Sequence, residues 1–85
     1  MQMTDEKYDY LLRKRSEILA KLKPMCEVFG FDVDYQINRN NGQTETLVIN
    51  ATRIGCTENS IDEVIDEFIG YLFVKIYSRN RYIGA

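Results

Sequence analysis

The sequence predicts an α+β domain of order α-β-β-α, with two helices packed on one face of a two-stranded antiparallel hairpin. Three observations predict it. Apolar residues recur at helical spacing from Tyr8 to Phe29, the period switches to two from Phe31, and Ser60 followed by Glu63 opens a second helical pattern. With 85 residues the chain has room for one core, so residues 1–85 form a single domain near the lower end of the sizes that fold unaided.

Thr4 is placed to cap a first helix of about 5–29, and Asp5 and Glu6 in its first turn suit the helix dipole. Tyr8, Leu11, Leu12, Ile18, Leu19, Leu22, Met25, Cys26 and Phe29 form its apolar stripe, which Arg15 interrupts. On the outer face Asp9–Arg13, Arg13–Glu17, Glu17–Lys21 and Lys23–Glu27 stand four apart, a spacing at which each pair adds about 0.2 to 0.5 kcal/mol. Pro24 has no amide proton, which predicts a kink or restart near residue 24, and Gly30 closes the helix.

Strands of about 31–38 and 44–53 follow. Phe31, Val33, Tyr35 and Ile37 alternate with Asp32, Asp34, Gln36 and Asn38; Leu47, Ile49 and Ala51 alternate with Thr46, Val48, Asn50 and Thr52. A two-residue turn at Asn41-Gly42 would set Leu47 opposite Gln36 and mix the faces. A three-residue loop, Asn40-Asn41-Gly42 with Gly42 left-handed, instead pairs Tyr35 with Leu47, Val33 with Ile49 and Phe31 with Ala51. The last helix, about 60–79, has a broad core face of Ile61, Val64, Ile65, Phe68, Ile69, Leu72 and Ile76.

That helix carries a second stripe. At about 100° per residue, Gly70, Phe73, Val74 and Tyr77 cluster opposite the core face. One layer of two helices on a hairpin cannot bury both sides of a helix, so the stripe is covered either by another part of this chain or by a second chain. Acids occupy the same outward positions earlier in the helix, and a sticky patch fringed by charge has the anatomy of an interface. The sequence therefore predicts a homodimer formed through Gly70, Phe73, Val74 and Tyr77, with another protein as a further partner on the polar hairpin face.

Catalysis and cofactors find little support. The chain has no histidine, hence neither the commonest general base nor an imidazole ligand for zinc. It has no phosphate-binding glycine loop, dinucleotide fingerprint or nucleophile elbow. Asp62, Glu63, Asp66 and Glu67 read as the solvated face of an amphipathic helix. The prediction is a non-enzyme with no cofactor and no metal site. Cys26 and Cys56 are expected as reduced, partly buried thiols; Cys56, just ahead of the last helix, is a candidate reactive thiol whose pKa the dipole would lower.

A net charge of −2 gives no general pull toward phosphate backbones. Locally, Arg13, Lys14, Arg15, Lys21 and Lys23 outnumber Glu17, and the tail Tyr77-Ser78-Arg79-Asn80-Arg81-Tyr82 interleaves bases with aromatics. Arg13, Lys14, Lys21, Arg79 and Arg81 are accordingly candidate nucleic-acid contacts, an alternative to the interaction module. The α-β-β-α order resembles, in topology and in no motif, the double-stranded RNA-binding fold, whose third strand the pattern here lacks. The acidic start has no apolar leader stretch, and the longest uncharged apolar run, Phe68 to Val74, is too short to span a bilayer, which predicts a cytoplasmic protein with no membrane partner.

Overall fold

The computed structural model describes residues 3–39 and 42–83, with side chains as far as Tyr77. The elements are α1 (Asp5–Phe29), β1 (Val33–Ile37), β2 (Glu45–Ile49), β3 (Thr52–Gly55) and α2 (Ile61–Ile83). The class is α+β as expected, but the order is α-β-β-β-α, and the sheet is a three-stranded antiparallel meander, β1-β2-β3.

The extra strand corrects the expected fold and has a local cause. The segment expected as one strand, 44–53, folds back on itself at Asn50 and Ala51, whose φ values of 49° and 69° are both left-handed. That is the backbone demanded by a tight two-residue hairpin turn. Asn50 tolerates it and is anchored there: its N–H donates to the Asp32 carbonyl at 3.0 Å, and its Oδ1 accepts the Asp32 N–H at 2.8 Å. Ala51 is therefore a turn residue, and the expected Phe31–Ala51 pair does not form. The rest of the register is as predicted, with Val33 opposite Ile49 and Tyr35 opposite Leu47. Gly42 has φ 88°, while Asn40 and Asn41 lie outside the described residues.

Both helix starts follow their sequence signals. Thr4 Oγ1 accepts the Lys7 N–H at 3.2 Å, and Ser60 and Glu63 exchange reciprocal bonds of 3.2 Å in a capping box. Gly30, at φ 70°, ends α1 as Phe31 N–H reaches back to the Cys26 carbonyl at 2.9 Å. Between these ends α1 is one continuous helix with Pro24 inside it, so of the expected kink or restart the restart does not occur.

The core lies between the helices and one face of the sheet, where Ile18, Leu22, Tyr35, Leu47, Ile49, Val64 and Phe68 are all fully buried. Two expected core residues of α2, Ile69 and Ile76, are exposed instead. Ile69 lies on the flank of the helix turned from the core, since Phe68 before it and Leu72 after it are buried, whereas Ile76 lies past the packed stretch. The 23 residues of α2 run for about 34 Å, roughly twice the span of a five-residue strand, so α2 outruns the sheet and Leu72 is the last of its described side chains to be buried. The result is an extended molecule, 51 × 23 × 19 Å, with a radius of gyration of 14.4 Å against the about 12 Å of a compact chain this long.

Candidate functional site

On the outward side of α2, Phe73, Val74 and Tyr77 are 73, 62 and 60% exposed, and Gly70 faces open space. Among the described residues nothing of this chain covers them. The patch is wider than the four predicted positions, because Ile69 and Ile76 are also exposed and Ile76 borders a recess with Phe29 and Phe31 at the end of α1. The Phe29 and Phe31 rings stack at 5.8 Å, and Phe31 meets Tyr71 edge-on at 6.1 Å. Counting helical positions assigns Ile69, Ile76 and Phe29 to the core; in the fold Ile76 lies past the last buried residue of α2, Ile69 on its outer flank and Phe29 at the exposed end of α1. On its other flank the stripe borders a groove formed by Ile54 of β3 with Asp66, Glu67, Gly70, Tyr71 and Val74.

The two edges of the sheet differ. The Asn38 N–H bond to the Thr44 carbonyl, at 2.8 Å, sets the alternation that turns the N–H and C=O of Val33, Tyr35 and Ile37 outward. At Tyr35 both groups are occupied: Arg15 Nε donates to its carbonyl at 2.8 Å, and Asp34 Oδ1 accepts its N–H at 2.8 Å while pairing with Arg15 Nη2 at 2.9 Å. Arg15, the residue that interrupts the apolar stripe of α1, thus clamps the centre of the β1 edge, while the outward backbone of Val33 and Ile37 has no partner among the described residues. On the other side Cys56 N–H donates to the Glu45 carbonyl at 2.9 Å, which places Leu47–Ile54 and Ile49–Thr52 in the bonded positions and turns the backbone of Arg53 and Gly55 outward, with no partner among the described residues.

Beneath the sheet lies a charge pair that the spacing of residues does not reveal. Lys14, 6% exposed, reaches Glu45, 1% exposed, at 2.5 Å and also donates to the Asn59 carbonyl. Glu45 Oε1 accepts the Tyr35 hydroxyl at 2.8 Å, and Oε2 accepts the Glu58 N–H at 2.8 Å. Burial works to raise the Glu45 pKa, but the bonds from Lys14, Glu58 and Tyr35 outweigh it and hold the carboxyl below its ordinary value. Burial, reinforced by Glu45, drives the Tyr35 hydroxyl far upward. Every partner in this cluster is satisfied, so it joins α1, β1, β2 and the segment ahead of α2 as a structural tie.

Several expected contacts are redistributed by these packings. Lys14 is a buried ion-pair partner and presents nothing to a phosphate. Arg13 and Lys21 remain exposed on α1, and the side chains of Arg79 and Arg81 lie outside the described residues. Cys56 is buried, as is Cys26, and burial raises both thiols, opposite to the activation a helix start was expected to give. The ion pairs among the described residues are Lys14–Glu45, Arg15–Asp34 and Arg39–Asp5; none joins residues four apart on α1, where solvated long side chains gain little from pairing.

An open, polar concavity of about 880 Å³ runs from Tyr8, Leu12 and Arg15 of α1 around the β1 edge onto the outer face of the sheet at Gln36, Thr46 and Arg53. Gln43 lies across Gly55 so closely that a Cβ there would meet its Oε1 at 2.5 Å. Among the described residues no three carboxylates or thiols converge as metal ligands, and no helix is long and apolar enough to cross a membrane. No protein-family model, curated protein or solved structure matches this chain.

Proposed function

We propose that this protein is a non-catalytic interaction module that works as a homodimer through the second half of α2 and offers the polar face of its sheet to a protein partner. One observation carries the reading: Phe73, Val74 and Tyr77 stand exposed together on a helix that outruns its own core. Isolated apolar residues on a surface need no explanation, but a contiguous stripe with Ile69, Ile76 and Phe29 beside it marks a contact site. Burial of about 800 Å² per copy would make a standard interface, a modest share of the 6017 Å² surface.

Sedimentation equilibrium tests it. The natural chain is expected to keep the mass of two chains over a wide concentration range, and the double variant Phe73→Glu, Tyr77→Ser to sediment as one folded chain. Because both side chains are exposed, the substitutions should cost within about 0.5 kcal/mol of intrinsic fold stability. A variant that stays dimeric, or that loses its fold, would refute the reading.

Nucleic-acid binding is the second reading, and the third strand favours it by bringing the element order to the α-β-β-β-α of the double-stranded RNA-binding fold. Electrostatics weigh against it: Lys14 is buried, Arg15 is engaged with Asp34, and the start of α2 carries Asp62, Glu63, Asp66 and Glu67. The expected result of a gel-shift assay at low salt with mixed duplex and single-stranded RNA is no shift; a shift that weakens steeply with salt would reverse the order of the two readings.

A further inference from the structure

We infer that the dimer is closed by β3 as well as α2, two copies pairing antiparallel along the free β3 edge so that the sheets join into one with α2 beside α2 beneath it. The inference rests on the homodimer reading above and specifies how the two copies meet. The first ground is the contrast between the edges. The β1 edge is clamped at its centre by Arg15 and Asp34, so a strand added there would have to displace them, whereas no side chain clamps the outward backbone of β3.

The second ground is geometric self-complementarity. Arg53 and Gly55 are the outward positions of β3, so a two-fold axis through Ile54 would let Arg53 of each copy exchange both backbone bonds with the partner's Gly55. On the helix side of the sheet, Ile54 would then lie against its own symmetry mate. On the opposite side, Arg53 would face Gly55 and the Gln43 side chain that lies over it, whose amide oxygen can accept from the guanidinium.

The same axis, perpendicular to the sheet, sets the two α2 helices antiparallel. Ile54 shares its groove with Gly70 and Val74, so the part of the stripe nearest β3 is the part the axis brings together, and open space at Gly70 allows the helices to approach closely. Charge agrees with that direction. By sequence α2 runs from Asp62, Glu63, Asp66 and Glu67 to Lys75, Arg79 and Arg81, so an antiparallel crossing brings the acidic half of one helix alongside the basic half of the other, whereas a parallel crossing would set like against like.

The test is Arg53→Pro together with hydrogen exchange on the natural chain. The Arg53 N–H points away from β2, so proline there removes a donor to the partner and none within the chain. The expected outcome is a folded Arg53→Pro variant with the mass of one chain, and Arg53 and Gly55 amides in the natural dimer that exchange slowly and lose protection on dilution. Fast exchange of both amides in a dimer that Phe73→Glu, Tyr77→Ser dissociates would overturn strand pairing and leave the helix interface standing. A natural chain that is monomeric throughout would overturn both. Should Arg53→Pro fail to fold, the exchange rates of those two amides in the natural chain decide alone.

Discussion

Along β1 the outward backbone of Tyr35 is fully occupied, its carbonyl by Arg15 and its N–H by Asp34, and the Tyr35 hydroxyl below is tied through Glu45 to Lys14. Along β3 the outward backbone of Arg53 and Gly55 has no partner among the described residues, the strand starts from a turn with Ala51 in a left-handed conformation, and the neighbouring helix exposes Phe73, Val74 and Tyr77. One side of this small domain spends charged side chains on protecting itself. The other leaves backbone donors, acceptors and hydrocarbon uncovered in adjoining positions. The outward backbone of Val33 and Ile37 on β1 has no partner among the described residues either, so what sets the β3 side apart as a surface for assembly is an unclamped strand edge lying beside the exposed helix stripe.

The largest expected effect comes from breaking the protected side. Lys14→Met strips Glu45 of its cation while leaving it buried, and removal of one partner from a buried pair costs about 3 to 5 kcal/mol. Urea unfolding should show most of the stability of so small a domain gone, whereas Lys14→Met combined with Glu45→Gln should recover part of it, since no charge is then buried. A loss below about 1 kcal/mol for the single variant would mean that the tie matters little. The pair also sets an acid limit. Glu45 titrates below its ordinary value in the folded chain, so its contribution is fully present above the unfolded value of ~4.3 and disappears as the pH falls through the lower folded value. The natural chain should therefore lose stability more steeply below about pH 4 than Glu45→Gln does, as urea midpoints at descending pH would show.

Legibility in the sequence follows the same division. Features written in local chemistry were readable: Thr4 and the Ser60–Glu63 box as caps, Gly30 as a stop, and the register of Tyr35 on Leu47 from facing alternations. The outward stripe was readable because helical spacing places Gly70, Phe73, Val74 and Tyr77 on one side. What depended on distant partners was not. Lys14 and Arg15 are adjacent bases on one helix, yet one is buried on Glu45, 31 positions away, and the other clamps Asp34, 19 positions away. Spacing puts Lys14 on the core face, between Leu11 and Ile18, but does not show the partner that lets a base be buried there. The exposure of Ile76 is likewise a matter of how far α2 extends past a short sheet, which hydrophobic pattern alone cannot register.

The third strand was missed because its turn lacks the usual sign. Asn50 is a standard first residue for a two-residue hairpin turn, but the second position, where glycine is favoured, is Ala51, and Leu47 to Thr52 alternates so evenly that it reads as one strand. An L-residue with a Cβ held left-handed costs roughly 1 to 2 kcal/mol, while glycine adopts that backbone freely at the expense of more entropy in the unfolded chain. Ala51→Gly should therefore stabilise the domain by about 1 kcal/mol, read as a higher urea midpoint with an unchanged slope. The sign of the change is the informative part. Were residues 44–53 a single continuous strand, glycine at 51 would weaken it, so a destabilised Ala51→Gly would remove the turn, β3 and the open edge that sets one side of the molecule apart from the other.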